Sequence, residues 1–174
     1  MAQDSMLLLD DFSRTDRLSA VDTQWQGFSD RVMGGLSELR AGFVETDGER
    51  WLRMQGRVRL ENNGGFIQLR LLLRADGGDF DATGYRALRV QVRGTPGAYW
   101  LHLRSADTRR PWAYYRAPLA VSRDWASLDL PLADFEPVAL RQPLDTQRLR
   151  SVALVAYGEA FEADVELRWI GLLR

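Results

Sequence analysis

The sequence predicts an all-β protein, an antiparallel β-sandwich or barrel, from three observations. Apolar and polar residues alternate through many short segments, and turns rich in Gly, Pro and Asp separate those segments. No long helical pattern intervenes, since only residues 13–20 and 144–150 favour a helix and both are too brief to shape the fold. Together these features predict one β domain spanning residues 1–174.

The clearest strand signal runs over residues 51–60, where apolar residues such as Leu52, Met54 and Val58 alternate with arginines and glutamine. Residues 66–73 repeat the alternation. Between them, the turn residues Asn63, Gly64 and Gly65 suit the positive φ of a tight turn, so the two segments are predicted to pair as a hairpin.

The same pattern, or a local enrichment in β-branched and aromatic residues, predicts the remaining strands. They fall around residues 88–93, 99–103, 112–118, 125–130, 152–157 and 165–172.

Composition excludes several kinds of chemistry. The chain has no Cys and one His, so thiolate chemistry and any metal site that needs two imidazoles from this chain are excluded. All 23 basic residues are Arg, which excludes a lysine Schiff base and the lysine of a P-loop. The shortage of His, Cys and Lys makes an enzyme acting on a sugar or nucleotide the weakest functional interpretation, and no catalytic residue, metal or cofactor is expected.

Charge and hydropathy restrict partners and location. The formal net charge is -1 and the arginines are interspersed with acids, which argues against nucleic acid. No apolar run approaches the ~18 residues of a membrane span. The first residues, 1–6, include an acid and resemble neither a secretory signal nor a transit peptide, so a cytoplasmic location is expected.

A binding surface is predicted on the polar side of the strands. If the leucines and valines face the core, the opposite faces bring together a row of arginines and aromatic residues. Such a face can stack on sugar rings or pair with anionic groups, while the alternative is an ordinary solvated sheet face. The candidate ligand- or partner-binding residues are Arg70, Arg93, Trp100, His102, Arg104, Trp112 and Tyr114.

Other reactive groups carry weaker signals. His102 lacks the sequence context of a serine triad, and a satisfied or solvated histidine is the favoured interpretation. The acid pairs Asp10 with Asp11 and Asp79 with Asp81 lie in no recognisable glycosidase context, although Asp10 or Asp11 could ligate a structural calcium.

The most distinctive string runs from Asp30 to Ser37 and contains Gly34 and Gly35. One interpretation is a structural loop in which the glycines take positive φ and Asp30 caps local amides. The other is a positioned loop at the edge of the binding face, which adds Asp30 to the candidate binding residues.

At this string the chain resembles the complex I intermediate-associated protein family, which contains a mitochondrial assembly factor and also bacterial members. Trp25 followed by residues 30–37 is similar to the family's opening signature, and residues 62–66 to its second. Residues 85–104 and 125–137 resemble later blocks, in order, so the resemblance covers most of residues 25–137. We take the chain as a bacterial-type member.

The resemblance implies a galactose-binding-like jelly roll, similar to carbohydrate-binding modules. It also implies an assembly or chaperone-like factor that binds a protein partner, such as respiratory-complex subunits or an assembly intermediate. The alternative is a carbohydrate-binding-module-like protein that binds a sugar or an anionic ligand on the concave sheet face. A shared sandwich does not by itself carry a shared activity.

Overall fold

The computed structural model describes residues 5–174, which form two antiparallel sheets of six strands each. Residues 1–4, part of the segment used above to argue against a targeting sequence, lie outside the described residues. The strands are β1 (Met6–Asp10), β2 (Gln26–Ser29), β3 (Arg40–Thr46), β4 (Glu49–Val58), β5 (Phe66–Leu72), β6 (Ala87–Gly94), β7 (Tyr99–Ser105), β8 (Tyr114–Leu119), β9 (Ala126–Pro131), β10 (Glu136–Val138), β11 (Leu149–Tyr157) and β12 (Phe161–Leu173).

Helix is confined, within residues 5–174, to three short 3-10 turns at Asp30–Met33, Glu61–Asn63 and Leu132–Asp134. The expected helices at 13–20 and 144–150 are wrong, because residues 13–20 are turns and irregular chain and residues 144–150 are a turn followed by the start of β11 at Leu149. No helix in this part of the chain is long and apolar enough to cross a membrane.

The first sheet has the order β3-β4-β12-β6-β9, with β1 also pairing with β12, and the second has the order β10-β8-β7-β11-β5-β2. Their inner faces supply one continuous core. Leu52 and Met54 of β4 lie in the same buried cluster as Leu69 and Leu71 of β5. The alternation read from the sequence thus assigns the inner face correctly, and the structure confirms the predicted antiparallel sandwich.

The predicted hairpin between residues 51–60 and 66–73 is wrong. β4 belongs to the first sheet and β5 to the second, so the two strands are not paired. The turn between them carries Asn62 and Asn63 at φ 57° and 58°, as a tight turn requires, but it passes the chain across the sandwich. Alternation shows which side of a strand is buried, whereas it does not name the strand's partner.

Candidate functional site

The outer face of the second sheet gathers most of the predicted binding residues. Arg70 lies on β5, Trp100, His102 and Arg104 on β7, and Tyr114 on β8, each alternating with residues of the core. Two further side chains complete the surface, which we call the arginine–aromatic face. Its members are Arg70, Trp100, His102, Arg104, Tyr114, Arg116 and Tyr157.

The central strand of this face, β11, explains how large side chains fit on it. β11 lies between β5 and β7, and Ala153 is opposite Arg70 on one side and His102 on the other. Ser151 and Val155 occupy the neighbouring outward positions of the same strand. These small side chains leave room above β11 for longer side chains from both neighbours, and His102 is accordingly only 7% exposed.

Aromatic rings form the middle of the face. The His102 ring stacks on Tyr114 with centroids 4.0 Å apart and planes 11° apart, and Tyr157 approaches His102 edge-on at 6.4 Å. The Arg116 guanidinium lies over the Trp100 ring at 4.7 Å from its centroid. Tyr157 was not predicted to belong to this face, because a tyrosine at the end of a strand carries no signal for which strand it will reach.

Several buried polar atoms of the face have no hydrogen-bond partner among residues 5–174. They are Arg70 Nε, Trp100 Nε1, His102 Nε2 and Arg116 Nε. Buried polar groups in proteins are almost always paired, so four unpaired atoms on one face need an explanation. A bound ligand or partner with suitable acceptors would supply one.

Burial and positive charge set the ionisation of the face. Burial, with the charges of Arg104, Arg116 and Arg70, lowers the pKa of His102 to about 3, so its imidazole is neutral at pH 7. Burial, followed by repulsion from Arg70, lowers the pKa of Arg104 to about 10. Burial and Tyr157 raise the pKa of Tyr114 to about 12. At neutral pH Arg104 is therefore still positively charged and Tyr114 is still neutral.

Arg93 does not belong to this face, and its expected grouping with Arg70 and Arg104 is wrong. It lies on β6 in the first sheet, where it pairs with Glu166 at 3.0 Å and lies 4.6 Å from the centroid of the Trp125 ring. Strand alternation placed it correctly on an outer face. It could not tell which of the two sheets that face belongs to.

Trp112 also lies apart from the strands. β8 begins at Tyr114, so Trp112 stands in the preceding loop, 59% exposed, with the Arg110 guanidinium 6.0 Å from its ring centroid. Its exposure keeps it available to a partner. It is nevertheless not a member of the row of strand residues that the sequence predicted.

Asp30 is a structural residue, which corrects its inclusion among the binding candidates. It is fully buried, and its carboxylate accepts hydrogen bonds from the amides of Ser37 at 2.9 Å, Gly65 at 2.6 Å and Phe66 at 3.3 Å, and from the Ser37 hydroxyl. Burial by itself would raise the pKa of Asp30, but these donors outweigh it and lower the pKa below the usual value. The side chain has no exposed surface with which to contact a ligand.

Two different causes require glycine at the four glycine positions around this buried carboxylate. Gly34 and Gly65 have φ of +84° and +126°, whereas Gly35 and Gly64 lie against Asp30. A Cβ on Gly35 or on Gly64 would stand 2.5 Å from an atom of that carboxyl group. Proximity to Asp30, rather than positive φ, therefore requires glycine at those two positions.

Each of the two acid pairs has a carboxylate that already binds other groups of the protein. Asp10 accepts hydrogen bonds from the Phe12 amide at 2.8 Å and from Trp25 Nε1 at 2.9 Å, and Asp79 pairs with Arg150 at 2.7 Å. Among residues 5–174, no group of three or more His, Asp or Glu side chains is arranged to hold a metal ion.

Comparisons with known proteins agree with the fold. The family model described as Complex I intermediate-associated protein 30 (CIA30) matches residues 11–167. No curated protein sequence matches the chain. Among solved structures, the family 11 carbohydrate-binding module of a cellulosomal cellulase of Clostridium thermocellum is similar, with 13% identity, a TM-score of 0.74 and coverage of 98% of this chain and 95% of that one.

Two further structures are similar. The same family 11 module in complex with a β-1,3-1,4-mixed-linked tetrasaccharide has 13% identity and a TM-score of 0.72, covering 98% of this chain and 96% of that one. A family 30 carbohydrate-binding module has 16% identity and a TM-score of 0.62, covering 98% and 84%. At these identities the likeness bears on the fold alone, and it confirms the implied jelly-roll sandwich.

Proposed function

This chain belongs to the complex I intermediate-associated protein 30 family, and from that membership we propose that it is a non-catalytic binding protein that captures a protein partner through its arginine–aromatic face. The proposed partner is a respiratory-complex subunit or an assembly intermediate. The four unpaired buried polar atoms of Arg70, Trp100, His102 and Arg116 are the observation that carries this proposal.

The composition of the face suits recognition rather than catalysis. Tryptophan, tyrosine and arginine are the residue types that most often dominate the energetics of protein interfaces. Trp100 and Arg116 are half-buried and stacked on one another, so they are ordered before a partner arrives. His102 is neutral at pH 7 and has only arginine charges around it, which is unsuited to a general base.

A carbohydrate ligand is the second candidate, and the aromatic rings favour it. Trp100, Tyr114 and Tyr157 lie on one sheet face, and flat rings on a sheet can stack on sugars while nearby arginines donate hydrogen bonds. The three similar structures named above are carbohydrate-binding modules, which is consistent with this use of the fold.

Affinity capture with matched variants tests the proposal. The tagged chain is used on soluble and membrane extracts of the cells that produce it, alongside Trp100→Ala/Arg116→Ala. The control is Trp125→Ala/Arg168→Ala, which removes the equivalent arginine–tryptophan stack, 4.5 Å from guanidinium to ring centroid, from the first sheet. Thermal unfolding verifies that both variants fold.

We expect respiratory-complex subunits with the wild type and with the control, and their loss with Trp100→Ala/Arg116→Ala. Equal capture by all three proteins would show that the arginine–aromatic face is not the binding surface. Absence of such subunits, together with glycan binding that depends on Trp100, would replace the protein partner with the carbohydrate candidate.

A further inference from the structure

A cavity of about 450 Å³ lies at one end of the arginine–aromatic face, where β5, β7 and β11 meet the loop after β7, and it shares Arg70 and Arg104 with that face. Four arginines line it: Arg70, Arg104, Arg109 and Arg150. The lining also includes three residues with hydroxyl groups, Ser105, Thr108 and Ser151. Its volume falls within the range of about 300–1,000 Å³ that is usual for small-molecule sites.

Most of the positive charge of this cavity has no carboxylate partner in the part of the chain that the structure describes. Arg150 pairs with Asp79 at 2.7 Å and donates to the Gly77 carbonyl at 3.0 Å. Arg70, Arg104 and Arg109 have no carboxylate partner among residues 5–174. Asp107, on the same loop, pairs with Arg148.

On the first sheet, in contrast, several arginines have carboxylate partners. On its outer face, Arg53 pairs with Asp164 at 2.7 Å and Arg57 pairs with Glu162 at 2.9 Å. Arg89 likewise pairs with Asp129 at 2.7 Å. Carboxylates are thus supplied to arginines elsewhere, and the cavity gathers three guanidinium groups without one.

Two of these arginines are held in place by the protein. The Nη atoms of Arg104 donate to the carbonyls of Arg110 and Pro111, and the Arg70 guanidinium lies 5.0 Å from the centroid of the Phe28 ring. Arg70 Nε is buried without a hydrogen-bond partner. Positive groups fixed close together repel one another, and a bound anion would relieve that repulsion.

We propose that this cavity binds a small, multiply charged oxyanion, either a phosphate compound or a polycarboxylate. Guanidinium groups present paired N–H donors whose spacing matches the oxygens of both groups, and several together favour a ligand with more than one negative charge. Arg70 and Arg104 belong to both the cavity and the arginine–aromatic face, whereas Arg109 and Arg150 belong to the cavity alone, so anion binding can be tested separately from the protein partner of the preceding subsection.

Isothermal titration calorimetry of the full chain tests the proposal, with inorganic pyrophosphate and citrate as the two probes and acetate as the singly charged comparison. The variants are Arg104→Gln and Arg109→Gln. Arg109 is exposed, so its variant keeps the test informative if Arg104→Gln fails to fold. Arg123→Gln, an exposed arginine outside the cavity lining, is the control.

We expect one molecule of pyrophosphate or citrate to bind per chain, and the stronger of the two identifies the ligand chemistry. Loss of one charge-assisted contact should weaken binding about tenfold or more in each cavity variant, with Arg123→Gln unchanged. Absence of binding by both probes, equal binding by the variants and the control, or equally tight binding of acetate would overturn the proposal. Arg109 is not part of the arginine–aromatic face, so capture of a protein partner by Arg109→Gln tests the proposed function separately from anion binding.

Discussion

The Asp30 carboxylate accepts a 2.6 Å hydrogen bond from the amide of Gly65, a residue 35 positions later in the chain. The same carboxylate binds the amide and hydroxyl of Ser37. One buried acid therefore fastens the turn after β2 to the turn before β5. This relationship accounts for the two glycine-containing signatures of the sequence, because both surround Asp30.

Asp30→Asn should destabilise the protein by about 2 kcal/mol or more. An asparagine amide nitrogen cannot accept from the Gly65 or Phe66 amides, so buried donors would face another donor. Urea unfolding at pH 7 measures the change. Asp124→Asn, at an exposed aspartate, is the control, and equal stability of the two variants would contradict the structural role of Asp30.

Gly35→Ala should cost more stability than Gly34→Ala. At Gly35 the added Cβ would stand 2.5 Å from Asp30, so the buried hydrogen bonds must shift. At Gly34 the space is open and the cost is the positive φ alone, about 1 kcal/mol. Gly42→Ala, with open space and no positive φ, is the control in the same thermal unfolding experiment.

A double-mutant cycle separates the two causes. Adding Asp30→Gly removes the carboxyl group and the Cβ of residue 30, which would stand 2.5 Å and 2.8 Å from the Cβ of Gly35→Ala, so the Gly35 cost should shrink in that background, while the Gly34 cost should not. Additive effects at Gly35 would show that contact with Asp30 is not the reason for glycine there.

The sequence predicts well which face of each strand is buried, and it predicts poorly which strands pair with one another. Alternation of Leu101 and Leu103 with Trp100, His102 and Arg104 assigned both sides of β7, because burial of apolar area decides that choice locally. Arg93 looked equivalent by the same rule, yet it lies on the other sheet. Sheet membership depends on long-range pairing, which a single strand's pattern does not encode. The cavity escaped notice because Arg109 and Arg150 come from segments far apart in the chain.

His102 should make the protein less stable in acid. Its pKa is about 3 in the folded state against the ordinary value of 6.5, so the unfolded chain binds more protons between these values. The free energy of unfolding should therefore fall as pH drops from about 6.5 toward 3, by at most about 1.4 kcal/mol per pH unit from this group. Urea unfolding across this range should give a shallower decline for His102→Gln. Parallel curves for the two proteins would contradict the burial of a neutral imidazole.

Arg104→Gln should raise the pKa of His102 while leaving it below 6.5. Burial is the largest cause of the lowered pKa and would persist in the variant, whereas the repulsion from Arg104, the next cause, would be removed. Since the chain has a single histidine, its imidazole proton signals can be followed by NMR without ambiguity as pH is lowered. Arg57→Gln, on the outer face of the first sheet, should leave the titration unchanged. If the titration of His102 were unchanged in Arg104→Gln as well, the electrostatic repulsion between Arg104 and His102 would be contradicted.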